Sequence, residues 1–471
     1  MNEGGLGDRV HDLRQEIVGI DQPVPLLDGT SRPYVYLDNA ASTPTFRGVQ
    51  DKVNEFLTWY SSIHRGTGFK SLVASEAYDA AREIVAEFVG ADPKTDVVVF
   101  GKNTTEAVNK LANRFSFQPE DMILATLMEH HSNDLPWRGR CRLEYVEVRA
   151  DGSLDWEDYE RKLIRWKGNI RLVTTTGAAN VTGYLPPIYQ MARFAHEHGA
   201  LILVDAAQLA PHRRIQMGTP GSPERLDFVA LSAHKMYAPF GTGALIGPKA
   251  FFTNGPPDYR GGGTIEIVSL EEVFWTHPPE RDEAGSPNVV GAVALAASIS
   301  ILKRVGMEVV AEHETALTRY TLERMGQIPG LRIFGFSNPL CAEDRLGVIA
   351  FQLEGIPHAK VAAILGYEGG IGVRSGCFCA HPYVLRLLGV NPQEYEYFKQ
   401  RVLAHDRSTL PGLIRASFGC YNNIEDVDRL LDWLDRIRRG KTRGEYELHV
   451  PSGAYRPRQF AANPADYFRL R

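Results

Sequence analysis

Residues 228–246 read Phe-Val-Ala-Leu-Ser-Ala-His-Lys-Met-Tyr-Ala-Pro-Phe-Gly-Thr-Gly-Ala-Leu-Ile, two apolar runs joined by a Gly/Pro-rich loop. The two runs predict buried strands, and the first delivers Lys235 to a strand end. A lysine fixed between buried strands is costly to desolvate as an ammonium, which favours a lowered pKa and Schiff-base chemistry. For an isolated lysine, an exposed loop position is the commoner explanation.

Asp205 favours the chemical interpretation of Lys235. It ends another apolar run, Leu-Ile-Leu-Val-Asp at residues 201–205. Pyridoxal 5'-phosphate needs a lysine to form the imine and a carboxylate to keep the pyridine nitrogen protonated, so that the ring acts as an electron sink. The pair therefore predicts a pyridoxal-phosphate site at the ends of neighbouring strands.

Strands alternate with helices from about residue 97 to about residue 246, a pattern typical of an α/β fold with a mainly parallel, doubly wound sheet. Ligands on such sheets lie at the carboxyl ends of the strands. His130, Asn180, Asp205 and Lys235 all follow predicted strands. Thr104 or Thr105 begins a helix, where an anion-binding site and an ordinary helix cap are equally good explanations.

The chain divides into four predicted segments. Residues 1–33 are expected to form an arm that packs on a small domain, and residues 34–305 a large cofactor-binding domain. Residues 306–439 have the mixed helix and strand pattern of a smaller α+β domain. Residues 440–471 form a basic, polar extension without hydrophobic period.

Composition excludes several classes of protein. The 471 residues are 44% hydrophobic and 23% charged with a net charge of −5, so nucleic acid is not an expected partner. The apolar runs fall short of a membrane span and the N-terminus lacks the pattern of a signal peptide, so a cytoplasmic location without membrane contact is expected. Five cysteines argue against a disulfide framework.

Several motifs occur in an order that resembles a known family. They are Leu37-Asp-Asn-Ala-Ala41, His64-Arg-Gly66, Thr104-Thr-Glu-Ala-Val-Asn109, Met128-Glu-His-His-Ser-Asn133, Val204-Asp-Ala-Ala-Gln208, Ser232-Ala-His-Lys235, Ala284-Gly-Ser-Pro-Asn288, Arg374-Ser-Gly376 with Cys379, and Arg415-Ala-Ser417. From about Tyr34 to Leu434 the chain resembles aminotransferase class V, closest to the group II cysteine desulfurase and selenocysteine lyase branch. The resemblance implies a fold-type I enzyme with a mainly parallel, seven-stranded type of sheet and a smaller α+β C-terminal domain.

The resemblance also implies how the cofactor pyridoxal 5'-phosphate would be held. Lys235 would form the Schiff base, Asp205 would hold the pyridine nitrogen, and His130 would stack on the ring and help to move protons. The other expected cofactor contacts are Thr104, Thr105, Gln208, Ser232, His234 and Ser286. Ser286 would reach the phosphate of the partner subunit, so a homodimer is expected.

The substrate side of the site follows from the same resemblance. Asn180 and Arg415 would clamp a substrate carboxylate, for which a guanidinium is well suited. His64 and Arg374 are expected near the pocket. Cys379 matches the sulfur-accepting cysteine of the family.

The loop Cys377-Phe-Cys-Ala-His381 allows more than one interpretation. A zinc site would need about four ligands, and none of the other cysteines has the paired spacing, so no metal is expected. Small structural loop cysteines are one alternative. The favoured one is a reactive Cys379, whose pKa the neighbours Arg374 and His381 could lower, with Cys377 as a resolving or relay thiol.

The expected activity is that of a cysteine desulfurase, which leaves L-cysteine's sulfur as a persulfide on Cys379 and releases alanine. A sulfur-acceptor protein is an expected further partner. The alternative is another pyridoxal enzyme, such as a C–S lyase, an epimerase or an aminotransferase, in which Cys379 has no catalytic role or donates a proton. A non-catalytic binding subunit is disfavoured, because Lys235 and Asp205 are both present.

Overall fold

The computed structural model describes residues 12–470. Its helices are α1 Arg47–Leu57, α2 Phe69–Val89, α3 Thr104–Arg114, α4 Trp156–Arg165, α5 Ile188–Glu197, α6 Lys249–Thr253, α7 Val289–Val305, α8 Met307–Met325, α9 His358–Tyr367, α10 His381–Leu388, α11 Pro392–Leu403 and α12 Ile424–Arg438. Its strands are β1 Pro23–Pro25, β2 Ser31–Pro33, β3 Val35–Tyr36, β4 Asp96–Gly101, β5 Met122–Thr126, β6 Arg142–Val146, β7 Ile170–Thr176, β8 Leu201–Asp205, β9 Phe228–Ser232, β10 Gly243–Pro248, β11 Ile265–Val268, β12 Val273–Trp275, β13 Leu331–Phe334, β14 Val348–Leu353, β15 Ile371–Gly372, β16 Arg374–Gly376, β17 Leu413–Ser417, β18 Tyr446–His449 and β19 Ala454–Pro457.

A seven-stranded sheet with the order β4-β10-β9-β8-β7-β5-β6 forms the centre of the molecule. The pairs from β9 through β8, β7 and β5 to β6 are all parallel. Only β10 runs antiparallel to its two neighbours, β4 and β9. The prediction of a mainly parallel α/β sheet is therefore confirmed.

Helices cover both faces of this sheet, which is why its central strands are apolar throughout rather than alternating. Every residue of β5 and of β9 is buried. Val98 and Val99 are adjacent in β4 but belong to different core clusters, because successive side chains of a strand point to opposite faces. The helices α2 and α7 pack together on one face, and α3 lies on the other.

A second, smaller sheet has the order β13-β14-β17-β16 and is antiparallel. Its core includes buried side chains of α9 and α12. Val35 and Leu37 pack in this same core, and β3 pairs in parallel with β15. The chain therefore contributes to the small unit before it builds the large sheet, and the residues directly after β3 lie between the two.

The two ends of the described chain both contact the small unit. Arg14 of the arm pairs with Asp426 at 2.9 Å, and Ile17 is buried in the large core. Residues 1–11 of the predicted arm lie outside the described residues. After residue 440 the polar sequence predicts no regular element, yet β18 and β19 form an antiparallel hairpin whose Tyr446 hydroxyl donates to Glu368 at 3.1 Å.

Among residues 12–470, no single helix is long and apolar enough to cross a membrane, although the bent pair formed by α7 and α8 meets the length and composition criteria when taken together.

Candidate active site

A pocket of about 500 Å³ lies where the carboxyl ends of β7, β8 and β9 meet the small unit. Residues from three parts of the chain line it: the sheet edge, the turn that follows β3, and the strands β16 and β17 with the loop after β16. The lining side chains include Ala40, Thr104, Thr105, His130, Ser132, Asn180, Asp205, Gln208, Ser232, His234, Lys235, Arg374, Phe378, Cys379 and Arg415.

Lys235 lies in a 3-10 turn directly after β9. Burial lowers the pKa of its amine to about 8, although the Asp205 carboxylate favours the charged form. Strand β10, which follows the loop after Lys235, packs closely on the segment around Asn103. A Cβ on Gly243, the first residue of β10, would lie 2.5 Å from the Cα of Asn103. Only glycine lets β10 approach so closely.

Asp205 ends β8 and lies in the same pocket. Its Oδ1 accepts a hydrogen bond from the Ala207 backbone N–H at 3.0 Å. Burial raises the pKa of this carboxyl, and the Lys235 cation opposes the rise. A buried carboxyl of this kind favours a cationic partner in the pocket, such as a protonated pyridine nitrogen.

His130 is held by a chain of hydrogen bonds. Its Nδ1 accepts the Ser132 backbone N–H at 3.1 Å and lies 2.9 Å from the Ser132 hydroxyl. That hydroxyl lies 2.6 Å from Oγ1 of Thr105. Burial and the nearby Lys235 lower the pKa of His130 to about 3, so the ring is neutral and carries its proton on Nε2.

Several buried polar atoms that line the pocket have no hydrogen-bond partner among the described residues. They include Thr104 Oγ1 and Ser232 Oγ, and on the substrate side Asn180 Oδ1 and Arg415 Nε. Buried polar groups are normally satisfied, so such atoms mark where a ligand would bind. Hydroxyls at the N-terminus of α3 suit a phosphate, and Asp205 and Lys235 suit a pyridine nitrogen and an aldehyde, so these residues fit pyridoxal 5'-phosphate.

Arg415 and Arg374 project into the pocket from adjacent strands. They are register partners in the pairing of β16 with β17. Asp38 lies between them: its Oδ1 accepts from Arg415 at 3.0 Å, and its Oδ2 accepts from Arg374 Nε at 2.9 Å. Arg415 also donates to the Asn180 backbone carbonyl at 2.9 Å, which leaves its Nε free for a ligand.

The loop after β16 carries Cys379 to the pocket. Phe378 and Cys379 both have left-handed backbones, with φ of 52° and 55°. The Phe378 carbonyl accepts from Asn180 Nδ2 at 2.7 Å, and the Cys379 carbonyl accepts from the His131 N–H at 2.7 Å. Cys379 itself is exposed, so its thiol is accessible.

The neighbours of Cys379 differ from what the sequence suggests. The Cys377 thiol is buried and donates to the Pro411 carbonyl at 3.2 Å, and burial raises its pKa to about 11. His381 stacks on His131 with the ring centroids 5.0 Å apart, and burial lowers its pKa. The lowered pKa argues against help from His381 in lowering the pKa of Cys379, and Arg374, at the start of β16, is the other charged neighbour that the sequence suggests.

The structure brings most, but not all, of the predicted site residues together. Gln208 and His234 both line the pocket. Gln208 donates to the Ala40 carbonyl at 2.6 Å. Burial lowers the pKa of His234 to about 4. His64 and Ser286 do not line this chain's pocket: both are exposed, and His64 lies 3.4 Å from Asp79.

Ser132, which lines the pocket, and Asp38, which bonds Arg374 and Arg415, are among the residues that the sequence did not single out. Both are polar residues within motifs that carry the family resemblance, Leu37-Asp-Asn-Ala-Ala41 and Met128-Glu-His-His-Ser-Asn133. Their place in those motifs was the signal by which the sequence could have identified them. Within residues 12–470, no group of three or more His, Cys, Asp and Glu side chains could hold a metal ion.

A family model described as aminotransferase class-V matches residues 35–430. The chain belongs to this family. The class-V chain is 32% identical over 449 residues to a probable cysteine desulfurase of Halalkalibacterium halodurans, an alignment that covers 93% of this chain and 99% of that protein. It is 33% identical over 420 residues to a cysteine desulfurase of Haloferax volcanii, covering 87% and 91%.

Solved structures agree with this assignment. The apo structure of a cysteine desulfurase from Thermococcus onnurineus NA1 matches with a TM-score of 0.77 and 33% identity, covering 91% of the class-V chain and 98% of that chain. The cysteine desulfurase CsdA (S-sulfonic acid) from Escherichia coli matches with a TM-score of 0.74 and 27% identity, covering 92% and 99%. The predicted fold-type I architecture and the resemblance to cysteine desulfurases are confirmed.

Proposed function

We propose that this protein is a pyridoxal-phosphate-dependent cysteine desulfurase that transfers the sulfur of L-cysteine to Cys379 and releases alanine. The observation that carries the proposal is one pocket that holds Lys235, an accessible Cys379, and polar atoms of Asn180 and Arg415 that have no hydrogen-bond partner within the described part of the chain. The names of the relatives support the same reaction, since 32–34% identity extends over most of the chain.

The cofactor would be held at the sheet edge. The hydroxyls of Thr104 and Ser232 would bind its phosphate, Asp205 its pyridine nitrogen and Lys235 its aldehyde. Once bound, pyridoxal phosphate supplies an electron sink for the substrate's carbon skeleton. His130 would lie beside it with a proton on Nε2, because Nδ1 accepts from Ser132.

The substrate would be oriented by its carboxylate. Among residues 12–470, the buried donor Arg415 Nε has no hydrogen-bond partner, and a carboxylate would complement it. With a pKa of about 8, the Lys235 amine is partly neutral at physiological pH and can take a proton. The opposite end of the substrate, its thiol, would then face the loop that carries Cys379.

Sulfur transfer needs no outside oxidant. The Cys379 thiolate attacks the substrate sulfur, the carbon–sulfur bond breaks, and its electron pair stays with the carbon skeleton. That skeleton takes a proton and leaves as alanine, while Cys379 keeps the sulfur as a persulfide. One L-cysteine and one enzyme thiol thus give one alanine and one enzyme persulfide.

The test compares two loop thiols. Cys379→Ser should bind L-cysteine but release no alanine and carry no persulfide, whereas Cys377→Ser, the matched control, should remain active because its thiol is buried and protonated. Alanine, pyruvate and sulfide are assayed separately. Full turnover of Cys379→Ser together with pyruvate from the wild type would make the enzyme a C–S lyase instead.

Assembly as a homodimer belongs to the same proposal. The hairpin β11–β12 exposes the apolar side chains of Ile267, Leu270 and Phe274, and grouped apolar side chains on a surface favour contact with another protein. Arg65 donates to the Ile265 carbonyl at 3.2 Å, which places the His64 segment beside this hairpin. In such a dimer Ser286 would reach the phosphate bound by the partner subunit, as the resemblance to the family implies.

Sedimentation analysis of the holoenzyme tests this assembly, and a monomer with full cofactor occupancy would contradict it. A sulfur-acceptor protein that takes the persulfide from Cys379 and a cytoplasmic location remain part of the proposal.

A further inference from the structure

Asp38 bonds Arg374 and Arg415, two residues that line the substrate side of the pocket, although Asp38 is not itself among the lining residues. It directly follows Leu37, a residue from the N-terminal part of the chain that is buried in the core of the small domain. Its carboxylate accepts hydrogen bonds from Arg374 Nε at 3.2 Å (Oδ1) and 2.9 Å (Oδ2) and from Arg415 at 3.0 Å, and its Oδ2 forms an ion pair with Arg374 Nη2 at 2.8 Å. Only 12% of its side chain is exposed.

The two guanidiniums need an anion between them. Arg374 and Arg415 stand directly opposite each other on antiparallel strands, where like charges repel. The Arg415 side chain is 2% exposed, but that of Arg374 is 51% exposed and free to turn into solvent. A carboxylate that bonds both is therefore what keeps the half-exposed guanidinium directed at the pocket.

We propose that Asp38 is a positioning residue that holds Arg374 and Arg415 together as the binding site for the substrate's α-carboxylate. With Asp38 in place the three side chains carry one net positive charge, which complements one carboxylate. The inference rests on the proposed function insofar as the substrate is an amino acid.

The backbone around Asp38 does not depend on its side chain. The Ala40 N–H donates to the Ser417 hydroxyl at 2.9 Å, Asn39 donates to the Ser417 carbonyl at 3.0 Å, and Gln208 donates to the Ala40 carbonyl. These contacts anchor the segment to both the small and the large unit. An amide at position 38 should therefore leave the fold intact while it removes the charge that orders Arg374.

The experiment measures how tightly the holoenzyme binds two small amines. L-alanine carries the carboxylate, and L-alaninol has the same skeleton with a hydroxymethyl group instead; the cofactor absorbance reports binding of each. In Asp38→Asn the Kd for L-alanine should rise about tenfold, because charge-assisted contacts are lost, while the Kd for L-alaninol should stay unchanged. Arg374→Gln should reproduce the effect, and the double variant should lose no more than the worse single variant.

Asp96→Asn is the matched control, since Asp96 forms a buried pair with Arg225 away from the pocket and should alter neither Kd. If Asp38→Asn raises the Kd values of L-alanine and L-alaninol equally, the role of Asp38 is merely structural. If the Kd for L-alanine is unchanged, Asp38 has no role in binding the carboxylate. Either result overturns the proposal. Should Asp38→Asn fail to fold, an unchanged preference for L-alanine in Arg374→Gln would overturn it. Failure of the proposed function is seen separately, as a wild-type enzyme that forms no alanine or persulfide from L-cysteine.

Discussion

Lys235 should combine with pyridoxal phosphate at a pH well below that needed by an ordinary lysine. Only the neutral amine attacks an aldehyde. Burial is the largest cause of the lowered pKa of this amine; the Asp205 carboxylate opposes it, and the Arg415 guanidinium adds to it.

The size of the effect follows from the pKa. With a pKa of about 8, roughly one Lys235 amine in ten is neutral at pH 7. An exposed lysine, with its usual pKa near 10.4, is neutral in roughly one molecule in 2,500. Burial therefore raises the reactive fraction by about 200-fold at this pH, and above pH 8 little further gain remains.

The assay mixes cofactor-free protein with pyridoxal phosphate and follows Schiff-base absorbance from pH 6 to pH 10. We expect the rate to rise up to about pH 8 and then to flatten, whereas Nα-acetyl-lysine should keep gaining up to about pH 10. Asp205→Asn removes a charge that favours the ammonium, so its plateau should begin at a lower pH. A protein rate that climbs about tenfold for each pH unit up to pH 10 would refute the reasoning.

Three further outcomes are expected. Asp205→Asn should retain cofactor but turn over L-cysteine very slowly, because the amide cannot stabilise a protonated pyridine nitrogen; near-normal steady-state turnover would contradict this. Iodoacetamide at pH 7.5, followed by peptide mass spectrometry, should modify Cys379 well before the buried Cys377, and the reverse order would contradict the assigned roles. Glu283→Ala should lower the free energy of unfolding by roughly 3–5 kcal/mol in a denaturant titration, because it leaves Arg82 half-buried without its partner at 2.8 Å; a loss below about 1 kcal/mol would contradict this.

The sequence predicts the scaffold of the site well because that scaffold depends on local pattern. Short apolar runs such as β5 and β9 are typical of buried strands in a sheet covered on both faces. A polar residue at the end of such a strand then lies at the ligand-binding edge. Asp205 and Lys235 were predicted on that basis, and both line the pocket.

The contacts that the sequence could not reveal join distant parts of the chain. Nothing near Asp38 indicates that two arginines more than 330 residues away will share its carboxylate. The burial that lowers the pKa of His381 was equally hidden, since His131, on which it stacks, is 250 residues away in the sequence. The hairpin after residue 440 was missed although Tyr446-Glu-Leu-His449 alternates apolar and polar side chains, because a run of four residues is short and the rest of this segment is basic and polar.

The position of Asp38 has a consequence for synthesis of the protein on the ribosome. The substrate-binding side of the site joins residue 38 to residue 415, a separation of 377 residues. Translation at about 5–20 residues per second takes roughly 20–75 s to cross that interval. Lys235 is made 180 residues before Arg415, so for roughly 9–36 s of this interval the nascent large sheet can present Lys235 to free pyridoxal phosphate before Arg415 has been made. The growing chain therefore contains the residues that bind the cofactor before it contains Arg415, which binds the substrate carboxylate. The carboxylate site can form only when the polypeptide is nearly complete.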